Sequence, residues 1–288
     1  MNAEVEGCAA AARFRKEHRL GVQPLGDLIA IIEQAIGIDV AVLDAGPDEH
    51  GLTMRDPKRN MMFVGVARSR RPMRQRSTLA HELGHVQFGD WADADAGDLS
   101  ARSPAEIRAD AFARHLLLPM EGLRDFLDER EQPTTRSVLS VVVQRFLVSP
   151  AVAAIALHQG GYIDAATKTE WMALSAPQLA VRFGWIDQYQ ALQADSDKRR
   201  APQRLLARAT KGYVEGVLPV QAIANLRGIA AEAAEAELRD AGVVPVDRPI
   251  AWLDAAELPG VPIDMAALDA DLSEPDNPPD RGIEADIP

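Results

Sequence analysis

Two histidines, with a glutamate beside the first, form the most informative pattern in the chain, at His81-Glu82-Leu83-Gly84-His85. Residues four apart in a helix lie on one face about one turn from each other, so His81 and His85 can bind one metal ion. Glu82 then points to the side where water would meet that ion. A carboxylate there can take a proton from the water and later give it to a leaving amine. The segment therefore predicts a zinc-dependent peptidase.

A catalytic zinc site needs a third protein ligand. In one branch of such enzymes it is a histidine ten positions after the first, but that position is Trp91 in this chain. In the other branch it is a glutamate from a later helix. Glu106 fits that role, and Asp110 follows it by one helical turn on the same face. Asp110 suits an acid that hydrogen-bonds a ligand histidine and fixes its tautomer. We therefore predict His81, His85 and Glu106 as the ligands.

Glu106 also has a purely structural interpretation. Ser103-Pro104-Ala105-Glu106 matches a helix capping box, in which the glutamate bonds back to the start of its own helix. A capping role does not explain why Asp110 follows on the same helix face, nor why an earlier helix carries two paired histidines. We therefore predict that Glu106 is a metal ligand. Sites of this His/His/Glu type accept several divalent ions, so Mn²⁺ is an alternative to Zn²⁺. The spacing leaves the residue that would stabilise an oxyanion unassigned.

Alanine-rich stretches favour helix formation, so we predict that mostly helices hold these residues in place. Three short strands, separated by turn residues, predict a small antiparallel sheet at Ile38–Leu43, Leu52–Arg55 and Met61–Ala67. Residues 68–76 hold five arginines and are predicted as a loop before the histidine helix. Apolar periodicity predicts helices at 7–20, 25–36, 78–88, 104–118, 137–146, 150–158, 176–194, 202–214, 219–239 and 264–272. The predicted fold class is α+β, mostly α.

Charge and cysteine content narrow the function classes. The net charge is −12, and seven of those charges belong to the stretch from Asp264 to the C-terminus. A mildly acidic remainder does not favour nucleic-acid binding, which needs a basic surface. Two segments, 137–158 and 203–227, have helix-turn-helix proportions. Their expected second helices, Pro150–His158 and Val220–Leu226, contain no Lys or Arg for phosphates or bases. We therefore expect no direct nucleic-acid contact.

Cys8 is the single cysteine, which fits a reducing compartment. The N-terminal residues carry charges among the apolar ones, unlike a signal peptide, and no apolar stretch is long enough to cross a bilayer. The expectation is a cytoplasmic protein that does not contact membranes.

The motifs together resemble the ImmA/IrrE family of zinc metallopeptidases. The resemblance covers residues 15–165 and rests on the segments Thr78-Leu79-Ala80-His81-Glu82-Leu83-Gly84-His85, Glu106-Ile107-Arg108-Ala109-Asp110-Ala111-Phe112-Ala113 and Leu116-Leu117-Leu118-Pro119. It implies a zincin-like fold, metal ligands at His81, His85 and Glu106, and a catalytic role for Glu82. It also implies a protein substrate, typically a helix-turn-helix repressor in a phage, mobile-element or stress circuit.

The resemblance and the residue patterns predict three parts in the chain. They are a zincin-like metallopeptidase domain at 1–165, a helical C-terminal domain for partner or substrate recognition at 166–272, and a disordered acidic tail at 273–288. The alternative function is a non-catalytic, metal-containing regulator that acts by binding a protein.

Overall fold

The computed structural model describes residues 2–45, 51–56, 58, 61–90, 103–128 and 134–246. The described residues belong to one compact unit, Met1–Val246, and a second unit covers Asp247–Pro288. The predicted helix at 264–272 and the predicted disordered tail at 273–288 lie outside the described residues.

Helices dominate the described chain and accompany a three-stranded sheet, which confirms the predicted fold class. The strands are β1 (Asp39–Leu43), β2 (Gly51–Asp56) and β3 (Met61–Ala67). The helices are α1 (Ala3–Glu17), α2 (Leu28–Ile31), α3 (Pro72–Phe88), α4 (Pro104–Leu117), α5 (Met120–Asp128), α6 (Arg136–Phe146), α7 (Pro150–Gln159), α8 (Ala165–Met172), α9 (Ala176–Phe183), α10 (Ile186–Ser196), α11 (Gln203–Val214), α12 (Val220–Arg227) and α13 (Ala231–Asp240). A π-helical turn, Ile32–Ile36, continues α2.

The sheet is mixed, so the prediction that it is antiparallel is wrong for one of its two strand pairs. Its order is β1-β3-β2, with β2 antiparallel and β1 parallel to β3. The reason is that β1 pairs with the third strand rather than with its neighbour in sequence. Val40 opposite Val64 and Val42 opposite Val66 are all buried, so the parallel pair forms the apolar centre of the sheet.

Helix α3 begins six residues earlier than the sequence predicts, so part of the predicted arginine loop is helical. Pro72 occupies the first turn, where its missing N–H costs nothing. Arg76 then lies within the helix, and its guanidinium donates to the carbonyl oxygens of Gly26 and Leu25, both at 2.6 Å. These bonds fix the N-terminal half of the histidine helix to the segment before α2.

Two long predicted helices are each divided by a glycine. Residues 176–194 form α9 and α10, with Gly184 at φ 79° between them, and 219–239 form α12 and α13, with Gly228 at φ 66°. A left-handed residue ends a helix, and glycine adopts it without the penalty of a side chain. Helices α5 and α8 were not predicted at all.

The apolar core continues beyond residue 165. Trp171, Leu179 and Trp185 are buried in the same cluster as the core residues of α1, α3 and α4. Trp185 also donates from its indole nitrogen to the hydroxyl of Ser140 on α6, at 2.9 Å. The predicted domain boundary at residue 165 stays a prediction.

No single helix in the described part of the chain is both long and apolar enough to span a bilayer. Helices α6 and α7 reach that length and composition only as a pair, and they meet at a bend of 112°. Their apolar residues, among them Val142 and Leu157, are buried in the core.

Candidate metal centre

Three side chains that can bind metal converge where α3 faces the first turn of α4. The Nε2 atoms of His81 and His85 are 3.0 Å apart. One carboxylate oxygen of Glu106 lies 3.2 Å from His81 Nε2, and the other lies 3.4 Å from His85 Nε2. One ligand atom from each residue falls within 4.8 Å of the others.

The close approach of α3 to α4 depends on a small residue in each helix. A Cβ atom on Gly84 would meet the Cα of Ala109 at 3.0 Å and its Cβ at 3.2 Å, so the helices touch at this point. Leu83 and Phe112 are fully buried beside the contact. Because both helices are held by core packing, the ligand side chains start from fixed backbone positions.

The first turn of α4 presents Glu106 to the histidines. The Ser103 hydroxyl accepts a hydrogen bond from the Glu106 N–H at 3.2 Å and caps the helix. The Glu106 carboxylate itself lies against the two imidazoles. A capping role for its side chain therefore does not account for where that side chain lies.

The three donors fit a zinc ion. Nitrogen and oxygen ligands bind zinc at about 2.0–2.2 Å, and a tetrahedral arrangement then separates two ligand atoms by roughly 3.3 Å. The 3.0 Å between the two Nε2 atoms and the 3.2 Å from His81 Nε2 to a Glu106 oxygen lie near that value, and one ligand atom from each residue falls within 4.8 Å of the others. Two imidazoles and one carboxylate also leave a fourth position for water or substrate, as catalytic zinc sites require.

Asp110 lies on the far side of the His81 ring. One of its carboxylate oxygens is 3.0 Å from His81 Nδ1, on the ring edge opposite the cluster. Burial alone lowers the pKa of His81, but the hydrogen bond and charge of Asp110, with the charges of Glu106 and Glu82, outweigh it and raise that pKa above 6.5. A proton held on Nδ1 would leave the Nε2 lone pair free to bind a metal ion.

Glu82 is held by the edge strand β2. The hydroxyl of Thr53 donates to Glu82 Oε2 at 2.7 Å. Gly51 lies so close that a Cβ atom on it would overlap Glu82 Oε1 and come within 2.8 Å of Thr78 Cγ2. The strand therefore restricts the glutamate to a narrow range of positions. The roles of Thr53 and Gly51 were not predicted, because the sequence of a short strand does not show which helix that strand will contact.

Asp90 and Arg108, which lie near His85, were not predicted from the sequence. Asp90 follows Gly89, the left-handed residue that ends α3, and one of its oxygens is 3.9 Å from His85 Nδ1. Arg108 donates to the other oxygen of Asp90 at 2.7 Å. The sequence feature that could have indicated this role is an acidic residue five positions after the second histidine.

The other described histidines lie outside the cluster. His115 is 3.8 Å from Glu4, and burial, with the charge of Arg114, lowers its pKa. The His158 ring bonds to the carbonyl oxygen of Ile163, and His18 packs on Phe14. None of the three contacts the metal ligands in the described structure.

The described site lies in a part of the chain that matches a known protein family. Residues 33–158 match the family model of the IrrE N-terminal-like domain, which describes a peptidase family. The matched range contains both halves of the ligand cluster and the whole sheet, and the resemblance predicted from the motifs is confirmed. No curated protein matches the chain.

Proposed function

We propose that the chain is a zinc-dependent endopeptidase of the ImmA/IrrE family, because residues 33–158 match the IrrE N-terminal-like domain of a peptidase family. The observation that carries the proposal is the convergence of His81, His85 and Glu106. Glu82, which follows His81 directly in the sequence, is the candidate base. A structural metal site would need a fourth protein ligand rather than a free position and an adjacent base.

In this proposal the ion supplies Lewis acidity, which polarises a peptide carbonyl and makes water a better nucleophile near neutral pH. Glu82 accepts the proton of the attacking water and delivers it to the nitrogen of the leaving amine. Thr53 donates to Oε2 of Glu82, so Oε1 is the oxygen that remains available for proton transfer. Asp110 holds the His81 ring in the tautomer that binds metal.

The sheet edge next to Glu82 suggests how a substrate would bind. Strand β2 pairs with β3 on one side and is an edge strand of the described sheet, whose order is β1-β3-β2. An extended peptide can add to such an edge as a further strand. The Thr53–Glu82 contact ties this edge to the metal cluster, so a peptide paired with β2 would pass the catalytic glutamate.

The family resemblance supplies the proposed substrate class. We take it to be a helix-turn-helix transcriptional repressor of a phage, mobile-element or stress circuit. The C-terminal helices from residue 166 onward are the proposed recognition region for that substrate. Zinc is the ion that the donor set favours, and Mn²⁺ is the alternative.

The test compares the wild-type chain with the Glu82→Gln variant in the cells from which the chain comes, by labelling new protein N-termini. We expect at least one regulator to gain a new N-terminus only with the wild type. Metal analysis of both purified proteins should find about one zinc per chain, with His85→Ala as the zinc-free control. Equal zinc content but identical N-termini would favour the non-catalytic regulator.

A further inference from the structure

The His85 side of the cluster contains a carboxylate oxygen that lacks a partner. Asp90 Oδ2 is buried and makes no hydrogen bond in the described structure. Buried carboxylate oxygens are normally hydrogen-bonded, so an unpaired one needs an explanation. His85 Nδ1 lies 3.9 Å from this oxygen, and a movement of about 1 Å would bring the two into hydrogen-bonding distance.

Asp90 is fixed at this place by its backbone and by its other oxygen. Its own N–H donates to the carbonyl of His85 at 3.0 Å, in the turn that ends α3. Its Oδ1 accepts from Arg108 at 2.7 Å. Arg108 in turn stacks over Phe88, 4.7 Å from the ring centroid, and pairs with Glu6 at 3.5 Å. The carboxylate is therefore anchored from α4 and α1 while Oδ2 remains directed at the histidine side.

We propose that Asp90 is a positioning residue that accepts the Nδ1 proton of His85 and so directs the His85 Nε2 lone pair at the metal ion. This inference rests on the proposed metal binding. Asp110 stands in the same relation to His81, at 3.0 Å. With both Nδ1 protons held by carboxylates, the two Nε2 lone pairs face each other across 3.0 Å. Two facing lone pairs repel each other, and a metal ion bound by both would remove that repulsion.

A purely structural role for Asp90 is the competing explanation. In that case the carboxylate only joins the end of α3 to α4 through its ion pair with Arg108. The two explanations differ in which substitution harms metal binding. A structural role predicts equal effects from losing either partner, whereas a positioning role predicts that losing the carboxylate is the more harmful.

The test measures zinc affinity by competition with a chromophoric chelator in the full chain. We expect Asp90→Ala to weaken zinc binding by about 10- to 100-fold, the usual cost of losing a carboxylate behind a ligand histidine. Asp90→Asn, which keeps an acceptor oxygen, should retain part of the affinity. Arg108→Met, which keeps an aliphatic stem over Phe88 but removes the ion pair, should lose less than Asp90→Ala. The control Asp187→Asn, at an exposed site on α10, should bind zinc like the wild type.

Nitrogen NMR of the zinc-loaded proteins measures the Nδ1–H signals of the ligand histidines. These signals would stay the same in the Asp90 variants if Asp90 had only a structural role. The wild type should show two protected Nδ1–H signals, one from each ligand histidine. Asp90→Ala should lose protection only at His85, and Asp110→Asn only at His81. Unchanged zinc affinity in Asp90→Ala, with both signals protected, would overturn the inference.

This outcome is separable from failure of the proposed function. A wild type that binds zinc but cleaves nothing removes the catalytic proposal and leaves the affinity and NMR comparison intact. A wild type that takes up no zinc would overturn both.

Discussion

The proposed site has two parts, the metal ligands and the catalytic glutamate. His81 and Glu82 are adjacent in α3, yet different parts of the protein hold these two parts in place. His81, His85 and Glu106 are fixed by two helices that pack through Gly84 and Ala109 into a buried core. Glu82 is instead fixed by β2, an edge strand whose Leu52 and Met54 are half exposed, through Thr53. Core packing resists displacement far more than an edge strand does.

The difference implies that metal binding and proton transfer can be damaged separately. Changes between α3 and α4 should remove the metal together with part of the stability of the fold. Changes on β2 should leave the metal in place and reduce only the cleavage rate. The four predictions below test that separation, from the largest expected effect to the smallest.

Gly84→Val should have the largest effect. The new side chain would press on Ala109, whose Cα is 3.0 Å from the Cβ position, and would separate the helices that hold the ligands. Overpacking of this kind costs about 1–3 kcal/mol, and we expect loss of bound zinc together with a lower Tm. Metal analysis and thermal unfolding measure both. The control is Gly26→Val, because a Cβ at Gly26 meets open space. Normal zinc content in Gly84→Val would show that the contact between α3 and α4 does not hold the metal ligands in place.

Gly51→Ala should abolish most cleavage without removing zinc. The added methyl would overlap Glu82 Oε1, so the glutamate must move away from its position. A misplacement of about 1 Å in a catalytic group can cost about 100-fold in rate. The measurements are the cleavage rate on the identified substrate and the zinc content, with Gly26→Ala as the control. Loss of zinc in parallel with activity would show that β2 supports the ligands as well.

Thr53→Val should have a smaller effect of the same kind. The substitution keeps the shape of the side chain but removes the 2.7 Å hydrogen bond to Glu82. Hydrogen bonds to charged groups contribute about 1.5–3 kcal/mol, and for this part-buried contact we expect the lower end of that range, a decrease in kcat of about tenfold. Thr53→Ser keeps the hydroxyl and should retain most of the activity. An unchanged kcat in Thr53→Val would mean that this contact does not position the glutamate.

The pH dependence of zinc binding should give the smallest effect, and it should depend on α3 and α4, which hold the ligands, and not on β2. Because the pKa of His81 is raised above 6.5, protons compete with zinc at a higher pH than for an ordinary histidine. Zinc affinity should therefore fall as the pH drops through that raised pKa. Without metal the sign is reversed for stability: protonated His81 stabilises the fold at low pH, and this contribution is lost as the pH rises through the folded-state pKa.

Titration of zinc affinity in Asp110→Asn checks the cause. Removing the carboxylate that raises the pKa most should move the midpoint to lower pH, besides weakening binding. Thr53→Val should leave the midpoint where it is in the wild type. A midpoint that shifted with Thr53→Val would mean that strand β2 affects metal binding as well as the catalytic glutamate.

Local periodicity explains how much of the site the sequence predicts. The spacing of His81 and His85, and of Glu106 and Asp110, needs only the 3.6-residue repeat of a helix, and the structure brings the four side chains together. The strands follow equally from short apolar runs between turn residues.

Pairings between distant segments had to come from the tertiary structure. The direction of β1 relative to β3, the crossing of β2 over Glu82 and the place of Asp90 beside Arg108 all join residues whose contact leaves no periodic mark in the sequence. Residue type and spacing are local properties, so the amino-acid sequence alone predicts which side chains the proposed metal site would use. The neighbours that orient those side chains depend on how separate helices and strands pack against one another, and only the folded structure reveals them.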